Sequence, residues 1–381
     1  MRGSRVSNER GMALALAVFA LVVIGALVAG IFFAGRLEQQ TGQNTMYAAQ
    51  AAEVAEAGLS DVVFTETAAA MTAVNIDPVH ATVLTTYSPG GSVSAARSIR
   101  RLTDNLFLVQ SIGSRTNASG GQLAVRSLGQ LIRLNQANIP VNAGLTAIGD
   151  VKVTGGAEVT GIDAVPPLWS AQSVSCPATA NAAGVRYNNG TVSTSGNGSI
   201  DGSPASVKDL TLNTSDMQST FNQLKALATL TVTNGNPAAT APAYTGIPLR
   251  CDASVETNWG EPNLKTDPCF NYFPIIYHNG DLRLQGGRGQ GILLVEGDLV
   301  ATGGMVFYGP VFVTGTLSTS GNSGQGAKFF GGVIAGNVAL DDLTKLAGGA
   351  LVSYSSCALK RALQNSATPT MLAERSWVQL Y

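Results

Sequence analysis

Histidine and charged side chains are scarce in this chain of 381 residues. Only His80 and His278 are histidines, which removes most histidine-based metal sites and the Ser-His or Cys-His arrangements of nucleophilic catalysis. Charged residues make up 12% of the chain, against roughly 25% in soluble domains. The formal net charge is -1, so no basic face is available to neutralise nucleic-acid phosphates. We therefore expect no catalytic, metal or cofactor site and no nucleic-acid partner.

Proline is absent before Pro78, and charge is absent from Met12 to Gly35. These 24 residues would form a helix long enough, at ~1.5 Å per residue, to cross a hydrocarbon core of ~30 Å. The run exceeds the roughly 7–15 apolar residues of a secretory signal. Because Arg2, Arg5 and Arg10 precede it, the N-terminus is expected in the cytoplasm and the remaining chain outside.

The predicted helix continues past the membrane as an amphipathic stalk. Apolar residues recur from Leu37 to Val62, mostly at spacings of three, four or seven, with Gln and Glu between them. Gly42 and Gly58 are expected to weaken this helix locally. The pattern predicts a leader at 1–11 and one membrane and stalk helix at 12–75.

Two N-terminal stretches carry a family resemblance. In Arg10-Gly11-Met12-Ala13-Leu14-Ala15-Leu16 a hydrophobic run starts directly after a glycine. Ala48-Ala49-Gln50-Ala51-Ala52-Glu53-Val54-Ala55-Glu56-Ala57-Gly58-Leu59 is rich in alanine and glutamate. Together they resemble type IV prepilins and type II secretion pseudopilins, above all PilX-type minor pilins and K-type pseudopilins, over about the first 60 residues. A plain single-pass anchor with a chance glycine is the alternative.

The resemblance implies a processing site and partners. A prepilin peptidase would cut after Gly11 and methylate the amine of Met12, and the helix would associate with other pilins in the inner membrane and then in a surface filament. Major pilins carry Phe first and Glu fifth after cleavage, where this chain has Met12 and Leu16. K-type pseudopilins share that lack and are assigned to the filament tip. The resemblance therefore makes Leu16 an assembly residue and implies a low-copy subunit at or near the tip.

A β-rich region with loop insertions is predicted over 76–275. Two strands are expected at 103–112 and 122–134, joined by a loop. One helix is expected at 215–230, where Ser215 and Gln218 have the spacing of a capping box. The fold class is therefore α+β, a long N-terminal helix followed by a glycine-rich, mostly β domain.

A short repeat marks the last predicted region, 276–381. Its segments centre on glycines 17, 18 and 21 residues apart, and the apolar residues around them predict a short β-solenoid with glycines at its corners. An antiparallel meander with glycine bulges is the alternative. The four copies are His278-Asn279-Gly280-Asp281-Leu282, Val295-Glu296-Gly297-Asp298-Leu299, Val313-Thr314-Gly315-Thr316-Leu317 and Ile334-Ala335-Gly336-Asn337-Val338, with a detached copy at Ile148-Gly149-Asp150-Val151. The apolar residues expected in a shared interior are Leu293, Val295, Leu299, Phe312, Val313, Leu317, Val333 and Ile334.

Four cysteines, none in a C-x-x-C motif, favour disulfides outside the cytoplasm. Cys251 and Cys269 bracket a segment with little apolar content, so we expect a local bridge there. Cys176 and Cys357 then form the second candidate pair, although the sequence alone leaves three pairings open.

Several other motifs are interpreted as structural. The run Gly286 to Gly291 lacks the Lys-Ser/Thr of a P-loop and precedes a strand, so it predicts a tight turn. Asp341-Asp342 is interpreted as the cap of a short helix at 343–346 rather than a carboxylate site. His278 is expected to pack or end a strand. Trp169, Trp259 and Trp377 are expected to be core or loop anchors rather than sugar platforms.

Three function classes compete. We favour a non-enzymatic minor pilin that displays its β domain. The second class is a membrane-anchored β-solenoid adhesin or surface-binding module outside any pilus. The third is a solenoid carbohydrate-active enzyme, for which Asp281, Asp298 and Arg283 would have to form a cleft; as single residues at turns they are more simply solvated corners.

Overall fold

The computed structural model describes residues 10–172, 174, 176, 179–320, 325–336, 344–346, 349–372 and 377–380. Its order of elements is one long helix followed by a mostly β body, so the predicted α+β class is confirmed. The helices are α1 (Arg10–Thr65), α2 (Ala68–Ala73), α3 (Pro167–Ala171), α4 (Thr214–Lys225) and α5 (Ser356–Asn365).

The first part of the body is an antiparallel sheet that carries the helix. Its strands are β1 (Thr82–Val83), β2 (Tyr87–Gly90), β3 (Val93–Arg101), β4 (Leu106–Thr116) and β5 (Gln122–Asn135), joined by the C-terminal strands β28 (Thr368–Met371) and β29 (Trp377–Leu380). The predicted pair at 103–112 and 122–134 corresponds to β4 and β5, which run antiparallel. The C-terminus returns to β5, so the predicted region 276–381 contributes to both parts of the body.

The second part consists of three sheets, each built from parallel strands, which we call the three-sheet region. An irregular, proline-containing segment at 234–270, which we call the excursion, divides this region. The strands before it are β6 (Ala143–Ala147), β7 (Val151–Thr154), β8 (Glu158–Thr160), β9 (Ala183–Tyr187), β10 (Val192–Ser195), β11 (Ser199–Asp201), β12 (Ser206–Lys208) and β13 (Leu230–Val232). A small hairpin of β14 (Tyr244–Thr245) and β15 (Arg250–Cys251) interrupts it. The strands after the excursion are β16 (Ile275–Asn279), β17 (Leu282–Gln285), β18 (Arg288–Gln290), β19 (Ile292–Glu296), β20 (Leu299–Thr302), β21 (Val306–Tyr308), β22 (Val311–Val313), β23 (Leu317–Thr319), β24 (Lys328–Phe330), β25 (Val333–Ala335), β26 (Thr344–Leu346) and β27 (Leu351–Ser353).

Each repeat contributes one strand to each of the three sheets. The β16 strand pairs with β19, β17 with β20 and β18 with β21, all in parallel, and the next two repeats continue the same order. Parallel pairing excludes the antiparallel meander for these strands. The period in the sequence therefore marks segments of chain stacked one on the next.

The detached copy near Gly149 belongs to the same stack. The β6 strand pairs with β25 and β7 with β26, so the segment from 143 to 208 extends the three sheets from the far side of the last repeat. The short strands β9, β10 and β11 belong to this stack, so the three sheets reach well outside 276–381. Pairing across nearly two hundred positions has no local signal in the sequence.

The glycines that mark the repeat lie at tight corners, and one of them is out of register with the others. Gly280 has a φ of +102°. A Cβ at Gly297 would lie 2.6 Å from the Gly280 carbonyl oxygen, and one at Gly315 would lie 2.7 Å from the Gly297 oxygen. Close approach between stacked segments therefore requires glycine at these two positions. Because Val313 pairs with Ala335, Gly336 is one residue out of step with the other corners.

The sheet that contains β19 and β22 is buried on both faces. Leu293 and Val295 face the interior of the three-sheet region, while Phe312 and Ile334 face a second core formed with α3, α4 and α5. The prediction that Phe312 and Ile334 point into the shared interior is therefore wrong. Helices cover the outer face of this sheet, so both side-chain orientations are apolar and alternation no longer marks the inside.

Two helix predictions need correction. The helix expected at 215–230 is α4, and its N-cap is Asn213, whose side chain accepts the amide of Asp216; Ser215 and Gln218 do not form the expected capping box. Phe221 and Leu224 are buried, as an amphipathic helix requires. Residues 344–346 form strand β26 instead of the predicted helix, because they pair with β7 and β23. Asp341 and Asp342 lie outside the described residues.

Candidate assembly helix and displayed domain

The first half of α1 stands outside the folded body. All described side chains from Leu14 to Met46 are exposed, including large apolar ones such as Phe19 and Phe32. The apolar part of this helix is long enough to cross a membrane, and none of its most hydrophobic window is buried. Exposure of so many apolar side chains indicates contact with lipid or with other helices.

The predicted processing residues lie at the start of this helix. α1 begins at Arg10, so the Gly11–Met12 peptide bond falls in its first turn. Leu16 is one turn further along and is 66% exposed. A side chain exposed to this extent can contact lipid or another helix.

The second half of α1 packs on the antiparallel sheet through small residues. Ala51 and Ala55 are fully buried, and Gly58 lies against β3 and β4. A Cβ on Gly58 would lie 2.7 Å from the Ser111 hydroxyl, and one on Gly113 would lie 2.8 Å from the Ala55 amide nitrogen. Gly58 therefore permits close packing of the helix on the sheet, and the helix continues through it.

One charged contact fixes the helix to the sheet. Arg97 of β3 is 5% exposed and forms an ion pair with Asp61 of α1. Its Nε donates to the Thr85 carbonyl at 2.8 Å, so the buried guanidinium is also hydrogen-bonded to the body. An unpaired charge at this depth would be costly, and truncation of either partner is expected to loosen the helix.

The helix ends earlier than predicted, although no proline stops it. α1 ends at Thr65, and α2 starts after Thr67, whose hydroxyl accepts the Ala70 amide at 3.1 Å. Arg101 then donates to the Thr72 and Val74 carbonyls at the end of α2. A new cap and a cation at a helix C-terminus satisfy the backbone groups that a continuous helix to 75 would have paired internally.

The four cysteines pair as the sequence led us to expect. Cys251 joins Cys269 within the excursion, and Cys176 joins Cys357 across 181 positions. The second bridge connects the loop after α3 to the first turn of α5, and Cys357 is part of the second core. Both bridges hold segments that have few strands of their own.

Acidic corner residues bind backbone amides of the next segment. Asp281 accepts the Asp298 amide at 2.9 Å, and Asp298 accepts the Thr316 amide at 2.8 Å. Asp150 makes the equivalent contact to Thr191 in the detached copy. These carboxylates tie stacked segments together and so are not the freely solvated corners that the sequence suggested. Among the described residues, no group of three or more His, Cys, Asp or Glu is placed to hold a metal ion.

The remaining motif residues have structural positions. His278 is buried, with Nδ1 2.8 Å from the Val232 carbonyl and Nε2 3.0 Å from that of Asp281. Trp169 is fully buried and donates to the Pro262 carbonyl at 2.9 Å, while Trp259 is buried edge-on against Phe307 at the end of the interior core. Neither tryptophan offers a face to a sugar. Trp377 lies in β29.

The glycine-rich run forms turns on either side of β18. Gly286, Gly287 and Gly291 all have positive φ, and a Cβ on Gly287 would lie 2.5 Å from the Thr240 nitrogen. The run is therefore not one tight turn as predicted, because residues 288–290 form β18; it is followed, as expected, by a strand, β19.

Helix α5 and its arginine were not predicted. Arg361 lies over the rings of Trp169 at 4.7 Å and Phe270 at 4.8 Å, and burial lowers the pKa of its guanidinium to about 10. Asp163 binds the Ser356 amide at 2.8 Å at the start of α5. The hydroxyl of Ser355 caps the same helix, and this serine followed by apolar residues at helical spacing is the signal that could have revealed it.

No protein-family model matches the chain, and no curated protein matches it by sequence. Among solved structures, the chain is similar to the competence-associated pilin ComZ from Thermus thermophilus, with 11% identity and a TM-score of 0.27. The match covers 88% of this chain and 98% of that chain. A TM-score this low does not support an inference about function from that structure.

Proposed function

We propose that this protein is a non-enzymatic minor subunit of a type IV pilus or related filament. The observation that supports it most is the division of α1 into two halves. One continuous helix exposes its apolar side chains over its first half and buries a small-residue face in an antiparallel sheet over its second. Such a helix can rest in the bilayer before assembly and among other apolar helices afterwards, without any change in the body that it carries.

Processing after Gly11 is part of the proposal. The three leader arginines hold the N-terminus in the cytoplasm while the helix is in the membrane. They would be costly in an apolar filament interior, because a charged side chain in a hydrocarbon environment carries a penalty of several kcal/mol. Removal of residues 1–11 by a prepilin peptidase eliminates that penalty and leaves Met12 as the first residue.

A position at or near the filament tip follows from Leu16 and from the size of the displayed domain. A subunit inside the shaft needs a partner for its N-terminal amine, and Leu16 cannot provide a carboxylate. The antiparallel sheet and the three-sheet region together follow α1, so this domain is bulky relative to its one assembly helix. A subunit at the tip has no earlier subunit above it and leaves this domain free on the outer side.

Quantitative proteomics of sheared filaments tests membership and placement. We expect the protein in the filament fraction at a small fraction of the major subunit, with labels on the β domain at one end. Near-equal abundance or labelling along the shaft would contradict the tip placement. Complete absence from filaments, with the protein retained in the membrane, would contradict the pilus proposal and favour the membrane-anchored adhesin.

Comparing the incorporation of Asp61→Asn and Glu53→Gln into filaments tests whether the contact between helix and sheet matters for assembly. The first variant breaks the Arg97 ion pair, while the second changes an exposed acid on the same helix. If α1 must be held rigidly on the sheet, the first variant lowers incorporation and the second does not.

A further inference from the structure

The two ends of the three-sheet region differ in how they are covered. At one end, the excursion adds main chain to β17 and β18: the Gly235 carbonyl accepts the Arg283 amide at 2.7 Å, and the Thr240 carbonyl accepts that of Arg288 at 3.2 Å. At the other, the three sheets finish at β10, β11 and β12, with no further strand in the part of the chain that the structure describes. We call these three strand edges the open end.

The outward main-chain groups of β10 follow from its bonds to the stack. The Thr191 carbonyl accepts the Val151 amide at 2.9 Å, so it is directed towards β7. Main-chain groups alternate in direction along a strand, so Val192 and Thr194 direct their N–H and C=O groups away from the stack. An edge of this kind is a template for pairing with another extended segment.

The same alternation identifies the outward groups of β11 and β12. The Ser199 amide of β11 donates to the carbonyl that precedes β8 at 3.0 Å, so the main-chain groups of Ile200 point outward. The Ala205 carbonyl, directly before β12, accepts an amide of β9 at 2.9 Å, so the outward groups of β12 are those of Ser206 and Lys208. The open end therefore presents outward main-chain groups from all three strands.

These outward residues are placed symmetrically about Ile200. Val192 and Thr194 precede it by eight and six positions, and Lys208 and Ser206 follow it by eight and six. A two-fold axis through Ile200 would therefore bring every outward group of one molecule opposite an outward group of a second one, in antiparallel register. All five side chains lie on the inner side of their strands, so this register also keeps the two interiors continuous.

The side chains at the open end fit a second molecule. Val192 and Ile200 are half-buried and pack against the interior core, so the pairing would cover their remaining surface. Lys208 is exposed and would lie opposite Val192. The corner next to Val192 holds exposed Asp150, whose carboxylate accepts the Thr191 amide. A lysine of one molecule therefore approaches an aspartate of the other on each side of the axis.

The other acids near these strands do not oppose the pairing. Asp201 would lie opposite Ser199 of the second molecule, whose hydroxyl can donate to its carboxylate. Asp209, which follows β12, forms an ion pair with Arg186 of its own molecule. In this register no charged residue of the three strands is directly opposite one of like charge.

We propose that the open end is an interface between two molecules of this chain, related by a two-fold axis through Ile200. The β11 strands pair with each other, and β10 of each molecule pairs with β12 of the other. Extended main chain is the chemical complement of a sheet edge, and the same end of a second molecule offers three edges with matching outward groups. The proposal does not depend on membership in a filament.

Cysteine cross-linking of the full chain tests this register. The chain is placed in nanodiscs at one molecule per disc, so that α1 cannot bring two molecules together, and a mild oxidant is added. Ile200→Cys should form a disulfide between two molecules, because Cα atoms of such paired residues are about 5.5 Å apart, within disulfide range. Ser193→Cys is the matched control, since Ser193 lies on the same end and is more exposed.

The partner of Ser193 in this register is Val207, so Ser193→Cys alone should form no disulfide dimer, and neither should Val207→Cys alone. A mixture of these two variants should form one. Equal cross-linking of Ile200→Cys and Ser193→Cys would overturn the proposal, because it would indicate random collision. Absence of cross-linking both in Ile200→Cys and in the mixture would overturn it as well.

Sedimentation of the discs is the second measurement. The unaltered chain should show pairs of discs whose fraction rises with concentration. Thr194→Pro should weaken this pairing at least about tenfold, because each molecule loses one outward N–H donor while its bonds to β7 remain. Pairing as tight as that of the unaltered chain would contradict the proposal. Discs of the unaltered chain that stay single at every concentration would also contradict it and would leave the open end to an extended segment of another protein.

Discussion

The contact between Gly113 and α1 offers a direct test of how the helix is held. A Cβ on Gly113 would lie 2.8 Å from the Ala55 amide nitrogen and 2.9 Å from the Ala55 Cβ, and it would overlap the carbonyl oxygen of Ala51. Two of these three atoms belong to the helix backbone, so no side-chain rotation can make room. Gly113→Ala therefore forces α1 away from the sheet.

The expected cost follows from two opposing effects. Overpacking a tight contact costs ~1–3 kcal/mol, and displacement of the helix also disturbs the contacts of buried Leu59 and Val62. The lower freedom of alanine in the unfolded chain offsets ~0.4–1 kcal/mol of this. We expect a net loss of about 2 kcal/mol in the free energy of unfolding of the helix and sheet.

The assay is thermal unfolding of the full chain in detergent, with hydrogen exchange over 47–65 to separate this unit from the three-sheet region. Gly42→Ala is the control, because a Cβ there meets nothing within 4 Å and alanine favours the helix. The control should be as stable as the unaltered chain or more so. If Gly113→Ala stays within about 0.5 kcal/mol of the unaltered chain and exchange over 47–65 is unchanged, the close-packing account is refuted.

Three further predictions concern the three-sheet region and the segment that interrupts it. Gly315→Val should cost ~1–3 kcal/mol by chemical denaturation, because its side chain would meet the preceding corner, whereas Ser318→Val on the outer face should be nearly neutral; equal effects would contradict the stacked-corner account. Hydrogen bonds, the strongest from the Thr211 hydroxyl, lower the pKa of Asp209 from 3.8 to about 2. The ionised carboxylate therefore stabilises the fold fully above pH ~4, and this stabilisation is lost as the pH falls toward 2. Asp209→Asn should remove that part of the acid sensitivity, and an unchanged acid-unfolding profile would contradict this prediction. Replacing Cys251 and Cys269 by serine should cost roughly 3 kcal/mol and make the excursion at 234–270 sensitive to protease, while an unchanged digestion pattern would show that the bridge is dispensable.

Local patterns were sufficient for the long helix and for the strands that follow it. The absence of proline and charge predicts α1, and the alternation of apolar residues predicts β4 and β5. The end of the helix was misplaced by ten residues because its signal is a second cap at Thr67, which depends on the following short helix. The role of Gly58 could not be read from the helix alone, since it is set by Ser111 on a strand distant in sequence.

The three-sheet region was predictable only in part, for a physical reason. Repeated glycines mark each corner, but the pairing of β6 with β25 depends on where the stack ends, and nothing local records it. The outer faces were misread because α4 and α5 cover Phe312 and Ile334. For the candidate site, the family resemblance of the sequence led to Gly11, Met12 and Leu16.

The central claim, a processed filament subunit, is tested most directly by mass spectrometry of the mature N-terminus. In cells with an active prepilin peptidase, the chain should begin at a methylated Met12. Gly11→Val should leave the leader attached, and Gly3→Val, inside the leader, should be processed normally. Recovery of the unaltered protein with an intact Met1 from those membranes would contradict the account.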